Sequence, residues 1–135
     1  MQRDVYSGYL RLKGEEDEDT LREANNYAAS LLNLQRYTEI KSLLRTLIPV
    51  ARRVLGENNE FTIRMRWNYA NALYEDEGAP LDDLREAVNT LEDTVRIAKR
   101  VFGGAHPLTV DTERELRNAR AALRARETPP PPGIA

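Results

Sequence analysis

The sequence predicts an all-α fold built from antiparallel helix hairpins that repeat and stack along the chain. Residues 14–32 (GEEDEDTLREANNYAASLL) align without a gap with residues 56–74 (GENNEFTIRMRWNYANALY), which begin 42 positions later. The Gly-to-Thr interval at the start of both segments recurs at residues 103–109, which begin 47 positions after the second segment. Between these segments the apolar residues follow the spacing of one helical face. A repeat of this length is the signature of a stacked repeat protein.

The composition fits one modest globular domain, because 41% of the 135 residues are hydrophobic and 31% are charged. No Cys is present, so disulfides, thiol catalysis and Cys-based zinc sites are excluded. The net charge of −2 argues against a dedicated nucleic-acid binder. No uncharged run approaches the ~18 residues of a spanning helix, so no membrane partner is expected. The amino end carries Asp4 and no sustained apolar run, so we expect no secretory signal and a cytoplasmic location.

Residues 1–13 carry a weakly helical apolar pattern, and we predict a partial helix of a preceding repeat or an N-terminal cap. Residues 14–55 form the first predicted repeat. Its acidic stretch at 15–19 is interpreted as a solvated helix start rather than an acidic docking motif. Thr20 and Glu23 have the spacing of a capping box, in which the Thr side chain accepts a backbone N–H. The apolar residues that follow predict a helix over about residues 19–34.

The second helix of this repeat is predicted from Tyr37 to Leu55, where Gly56 ends it. Pro49 falls inside its apolar stripe. A proline removes one backbone hydrogen bond and clashes with the carbonyl one turn earlier, here that of Arg45, at a cost of ~3 kcal/mol. Because the stripe keeps its phase across Pro49, we expect one helix with a kink near Arg45 rather than two helices.

Residues 56–102 form the second predicted repeat, with helices at about 60–77 and 81–102. This repeat is five residues longer than the first, and the excess is assigned to a loop at 75–83, where a Gly and a Pro indicate a turn.

Residues 103–127 are predicted to form a half repeat or C-terminal capping helix that begins at Pro107 and runs to about residue 127. Residues 128–135 (TPPPPGIA) are interpreted as a Pro-rich extended tail or truncated linker, with a ligand for an aromatic groove as the alternative.

The sequence gives little support for catalysis, and we predict a protein that is not an enzyme and has no cofactor or metal. It contains a single His, no Cys, no Gly-rich phosphate loop and no spacing typical of metal ligands. His106 is interpreted as a helix-start residue beside Pro107 rather than as a general base. Glu113 and Glu115 are interpreted as ordinary residues of a charged helix surface.

Arginines recur through the last predicted helix, which raises RNA or phosphate binding as a hypothesis. Two of them occupy positions where the earlier repeats have Ala or Leu, and polar residues at stacking positions are typical of a solvent-facing terminal cap. We therefore favour capping over nucleic-acid binding. The arginines are Arg114, Arg117, Arg120, Arg124 and Arg126, of which Arg117 and Arg120 occupy the stacking positions.

The repeats resemble the kinesin light chain type of tetratricopeptide repeat (TPR) over about residues 14–127. The pattern departs from that family in several places: the His-Pro before the Thr is present once, at 106–107, and is replaced by Glu18-Asp19 and Glu60-Phe61 elsewhere, and the second repeat lacks the Gly-Lys/Arg-Tyr turn. Nothing resembles a kinesin-binding coiled coil, so the transport role is not carried over. The segments that carry the resemblance are NNYA (25–28), RY (36–37), ARRVLG (51–56), YA (69–70) and GGAHPLT (103–109).

The resemblance implies a short right-handed α-solenoid whose first helices line a concave groove for an extended peptide. Asparagine amides can bond peptide donors and acceptors, and arginines can hold carboxylates bidentately. Trp67 suits either the groove or the core between helices, and both readings stay open. The groove residues implied by the family pattern are Arg22, Asn25, Ala29, Asn33, Arg64, Trp67, Asn71, Tyr74, Asp111, Arg114 and Asn118.

These features predict a non-catalytic protein- or peptide-binding scaffold. The expected ligand is an extended peptide with acidic residues or a free carboxyl end, anchored by an apolar side chain against Trp67 and Tyr74. The alternative is a self-associating helical module whose incomplete ends stack on other copies.

Overall fold

The computed structural model describes residues 2–127, which form six α-helices and contain no strand. The predicted Pro-rich tail at 128–135 lies outside the described residues. The all-α prediction is confirmed, and the five helices predicted from residue 19 onward are observed within three residues of their predicted bounds. The helices are α1 (Gln2–Lys13), α2 (Glu18–Asn33), α3 (Tyr37–Val54), α4 (Glu60–Tyr74), α5 (Leu81–Phe102) and α6 (Pro107–Glu127).

Each helix packs against the next one in the chain, as short connections between antiparallel helices require. In addition, α2 packs against α4, and α4 packs against α6. Helices α2, α4 and α6 therefore form one continuous layer, against which α1, α3 and α5 pack. This layer carries all eleven predicted groove residues.

One type of turn connects the two layers at three places. Gly14, Gly56 and Gly103 have φ angles of 89°, 93° and 86°, a region that residues with a Cβ rarely adopt. In each case the glycine carbonyl accepts a 3.4 Å hydrogen bond from the backbone N–H three residues later. The helix that precedes Gly14 is α1, so α1 leads into the layer of α2, α4 and α6 in the same way as α3 and α5.

The third residue after each glycine caps the helix that follows. Asp17 accepts from the N–H groups of Asp19 and Thr20 at 2.9 and 3.2 Å, and Asn59 accepts from Phe61 at 2.8 Å. At α6 the cap is the imidazole of the single His, His106. The predicted capping box at Thr20 is therefore wrong: the glycine turn places Asp17, not Thr20, at the N-cap.

His106 starts α6, which confirms its predicted position at a helix start. Its Nδ1 accepts the N–H of Leu108 at 3.1 Å, and its ring stacks on Phe102 with centroids 4.6 Å apart. The imidazole thus replaces the Asp and Asn caps of the two earlier turns.

Three threonines at equivalent positions are buried where the layers meet. The Thr20 hydroxyl donates to the Tyr9 carbonyl at 3.2 Å, and the Thr62 hydroxyl donates to the Ala51 carbonyl at 3.5 Å. Both bonds join the start of one helix to the end of the preceding helix, eleven residues back. The third threonine, Thr109, is buried with no partner for its hydroxyl among the described residues.

Helix α3 runs without interruption through Pro49, so the prediction of one helix rather than two is confirmed. The kink near Arg45 remains a prediction. The buried stripe of α3 holds Ile40, Leu44, Leu47 and Ala51 against the neighbouring helices.

The second helix pair is longer than the first for two reasons. Residues 75–80 connect α4 to α5, whereas residues 34–36 connect α2 to α3. Helix α5 also has 22 residues against 18 in α3, so the five-residue excess is shared between the loop and the helix instead of lying wholly in the loop. The loop is tied to the end of α6, because Arg126 Nη1 donates to the Ala79 carbonyl at 2.6 Å.

Among residues 2–127, no helix combines the length and the apolar character needed to cross a bilayer.

Candidate functional site

The candidate groove is the face of α2, α4 and α6 that carries the eleven residues named from the family pattern. The structure brings together those at the junction of α4 and α6. With its amide oriented by its hydrogen-bond partners, Asn71 accepts from Trp67 Nε1 at 3.1 Å and donates to Glu115 Oε2 at 3.2 Å. This chain of contacts links two groove residues of α4 to a carboxylate on α6.

The same carboxylate binds a second groove residue. The hydroxyl of Tyr74 donates a short hydrogen bond to Glu115 Oε2. Burial and then this hydrogen bond raise the pKa of the Tyr74 hydroxyl, while a polar contact with Asn118 acts in the opposite direction. Glu115 therefore holds Asn71 and Tyr74 of α4 against α6.

A second polar contact joins α2 to α4. Asn68 Nδ2 donates to Asn25 Oδ1 at 2.9 Å, and Asn25 is buried. Asn71 is buried as well. We therefore assign Asn25 and Asn71 to contacts between helices and not to direct contact with a ligand, which changes the role predicted for both.

Trp67 is half-buried and packs against both hydrophobic clusters of the protein. One cluster runs through the whole bundle, and the other consists of Ile63, Ile97 and Leu108. The two readings of Trp67 are thus compatible, since one part of the ring fills the core while another part stays accessible. Tyr74 is likewise half-buried.

The three groove arginines each pair with an acid of their own helix. Arg22 lies 3.0 Å from Asp19, Arg64 lies 3.2 Å from Glu60, and Arg114 lies 3.2 Å from Asp111, which is itself a predicted groove residue. All three pairs are substantially exposed, and such pairs contribute only ~0 to 1 kcal/mol to stability. The arginines can therefore exchange these partners at small cost.

The remaining predicted residues vary in accessibility. Asn33 and Asn118 are exposed, and Ala29 is half-buried. They leave polar and small side chains along the surface between the arginines and the aromatic residues.

Two residues of this site were missed, Asn68 and Glu115. They occupy the same position in successive repeats, because Glu115 follows Asn68 by the 47-residue offset and Asn26 precedes it by the 42-residue offset. Asn68 and Glu115 each bond a residue of the preceding helix in the layer, whereas Asn26 is exposed and its side chain lies 3.4 Å from Glu23 of its own helix. Alignment of the repeats was the signal that could have found them.

The site offers hydrogen bonding, exchangeable positive charge and aromatic surface. Within residues 2–127, no three His, Cys, Asp or Glu residues are grouped so that they could hold a metal ion. The imidazole of His106 is occupied by the α6 cap and by Phe102.

Comparison with protein-family models gives no match, and comparison with curated proteins gives no significant match.

Proposed function

We propose that the chain is a non-catalytic scaffold that binds a protein or an extended peptide along the candidate groove. The observation that carries this proposal is the single layer formed by α2, α4 and α6, which carries two half-buried aromatic residues and three arginines whose side chains are 39 to 52% exposed. An extended peptide can contact successive helices of such a layer without folding itself.

We further propose that the architecture is a TPR-like right-handed solenoid of the kinesin light chain type, in the cytoplasm. The recurring glycine turns and the two threonine bonds at eleven-residue separation support this. They are the contacts expected when the same helix pair is stacked repeatedly.

The ligand we propose has acidic residues or a free carboxyl end together with an apolar side chain. A ligand carboxylate replaces the acid that each groove arginine already holds, so each exchange adds little affinity. The apolar side chain, which packs against Trp67 and Tyr74, therefore supplies the larger share of binding energy.

Selection of peptides from a random displayed library tests this proposal. The affinity of a selected peptide is then measured for two variants that should change it in opposite directions. Glu60→Gln removes the internal partner of Arg64 and should tighten binding, whereas Arg64→Gln should weaken it, by about two- to fivefold in each case. Arg85→Gln, on α5, is the matched control. If Glu60→Gln weakens binding and Arg64→Gln tightens it, the ligand is a basic peptide and the proposed acidic ligand is wrong.

Self-association is a second candidate, favoured by the outer face of α1. Val5 is 40% exposed and Leu12 is 87% exposed, and Gly8 lies between them on the same face. Stacking of this face on α6 of another copy would desolvate Arg117 and Arg120, so an α1-to-α1 contact is the form we propose. Sedimentation over a concentration series, with Leu12→Glu as the variant, tests it: a mass that never exceeds the monomer removes this candidate.

A further inference from the structure

Arg66 is a charged residue at a position that faces the neighbouring layer. The residue 42 positions earlier, Ala24, is 0% exposed and belongs to the core of the first helix pair. Arg66 instead reaches a groove between α3 and α5, with Tyr69 of α4 beside it. The equivalent residue 47 positions later, Glu113, is also charged but pairs with Lys99 at 3.1 Å, so the partner of the charge is what differs at Arg66.

The outer groove, as we call it, has a volume of ≈ 440 Å³ and is open to solvent. Ile48 of α3 forms one wall, and Arg66 and Tyr69 of α4 contribute to its lining. The residues from α5 are Asp82, Arg85, Glu86, Asn89, Thr90 and Asp93. The groove is separate from the candidate groove, since it lies between α3 and α5.

Every other charged side chain of the outer groove has an oppositely charged partner. Asp82 lies 3.4 Å from Arg85, Glu86 lies 3.4 Å from Arg45, and Asp93 lies 2.5 Å from Arg96. Arg66 has no acid within 4.0 Å among residues 2–127. It is the one charged group of this lining whose charge is not compensated at close range.

The guanidinium of Arg66 is also partly removed from water. Burial is the main cause that lowers the pKa of Arg66, and the charge of Arg52 adds to it, whereas the carboxylates of Glu57 and Asp93 act in the opposite direction. A half-buried guanidinium has five N–H donors to satisfy, and a planar bidentate acceptor satisfies two of them at once.

We propose that the outer groove binds a carboxylate, held by Arg66 and flanked by the apolar surface of Ile48 and the polar side chains of Asn89 and Thr90. A carboxylate fits better than a phosphate, because three acids already line the groove and repel a dianion more strongly than a monoanion. The volume accommodates an acid with a short aliphatic body. Either a glutamate side chain of a partner or a free carboxylic acid has this chemistry.

Backbone and side-chain amide shifts of the isotopically labelled protein test the proposal, during titration with butyrate, butanol, inorganic phosphate and N-acetyl-glutamate methylamide. Butyrate and the capped glutamate should produce saturable shifts at Asn89 and Thr90, and butanol should not. Arg66→Gln should weaken this binding by about tenfold or more, and Arg66→Lys by less, because lysine keeps the charge but loses the bidentate geometry. Tighter binding of the capped glutamate than of butyrate assigns a protein side chain as the ligand, and the reverse assigns a free acid.

Arg36→Gln, which lies outside both grooves and pairs with Glu39, is the control and should leave the shifts at Asn89 and Thr90 unchanged. Because these shifts are read on α5, failure of this proposal is distinct from failure of the peptide groove. Arg66→Ala, which restores the residue of the first helix pair, serves as the second variant if Arg66→Gln does not fold. The proposal is overturned if butyrate and the capped glutamate give no saturable shift, if the folded Arg66 variant binds them as tightly as the parent, or if phosphate binds more tightly than butyrate.

Discussion

Glu115 on α6 accepts a hydrogen bond from the hydroxyl of Tyr74 on α4, across 41 residues of sequence. The same carboxylate accepts from Asn71, whose own oxygen receives the Trp67 indole N–H. Glu115 thus holds Asn71 and Tyr74 directly, and it holds Trp67 through Asn71. The candidate groove is consequently part of the contact between two helices, so substitutions of these residues should affect stability.

Tyr74→Phe should destabilise the protein by about 1 to 3 kcal/mol, because it removes a partly buried hydrogen bond to a charged acceptor. In a double-mutant cycle with Glu115→Ala, urea unfolding should give a coupling energy of at least ~0.5 kcal/mol. Glu113→Gln is the control, since Glu113 makes only an ion pair with Lys99 at 3.1 Å and should cost at most about 1 kcal/mol. Additive effects of the Tyr74 and Glu115 substitutions would show that the bond contributes nothing.

The three equivalent threonines should respond differently to replacement by valine, which has nearly the same shape. Thr20→Val should lose about 1 kcal/mol of stability, because it removes the bond to the Tyr9 carbonyl. Thr109→Val should be neutral or stabilising, because the Thr109 hydroxyl is buried without a partner among the described residues. Thermal unfolding of both variants checks the difference, and an equal loss in the two would contradict this account of the layer junction.

Stability should fall at alkaline pH because of Tyr69. Burial, followed by its hydrogen bond to Glu86, raises the pKa of Tyr69 from 10.0 to about 12. The folded state therefore keeps this proton while the unfolded chain loses it, so the free energy of unfolding decreases between about pH 10 and pH 12, by up to about 2 kcal/mol. Urea unfolding across this range should show a shallower decrease for Tyr69→Phe. The same slope in both proteins would mean that Tyr69 titrates normally.

Pro49→Ala should stabilise α3, since Pro49 is exposed inside a continuous helix and leaves the Arg45 carbonyl without its regular partner. The gain should be less than ~3 kcal/mol because the native helix has adapted to the ring. Denaturant unfolding measures it, and a clear loss of stability would show that the proline is required in this helix.

Local sequence signals predicted the helices well. Gly56 and Pro107 mark helix ends through backbone restrictions that depend on no distant residue, and the start of α5 at Leu81 follows from an unbroken apolar stripe. The Thr20 prediction failed for a related reason: a Thr three residues before a Glu matches a capping box locally, but the glycine turn decides which residue reaches the N-cap.

The contacts of the site were harder to predict because they join distant segments. Asn68 and Asn25 are 43 residues apart, and Glu115 and Tyr74 are 41 apart. Nothing in the immediate surroundings of Glu115 distinguishes it from Glu113. Only its repeat position shows that one of these acids turns toward the preceding helix while the other faces Lys99.

Mapping of a library-selected peptide on the labelled protein by amide chemical shifts tests the central claim most directly. Binding along α2, α4 and α6 predicts that the largest shifts fall at Arg64, the Trp67 indole and Asn118, and that Trp67→Ala weakens the same peptide by ~2 kcal/mol or more while the variant stays folded. Largest shifts on α3 and α5, around Ile48 and Thr90, with unchanged affinity in Trp67→Ala, would contradict the claim and place peptide binding on the opposite layer.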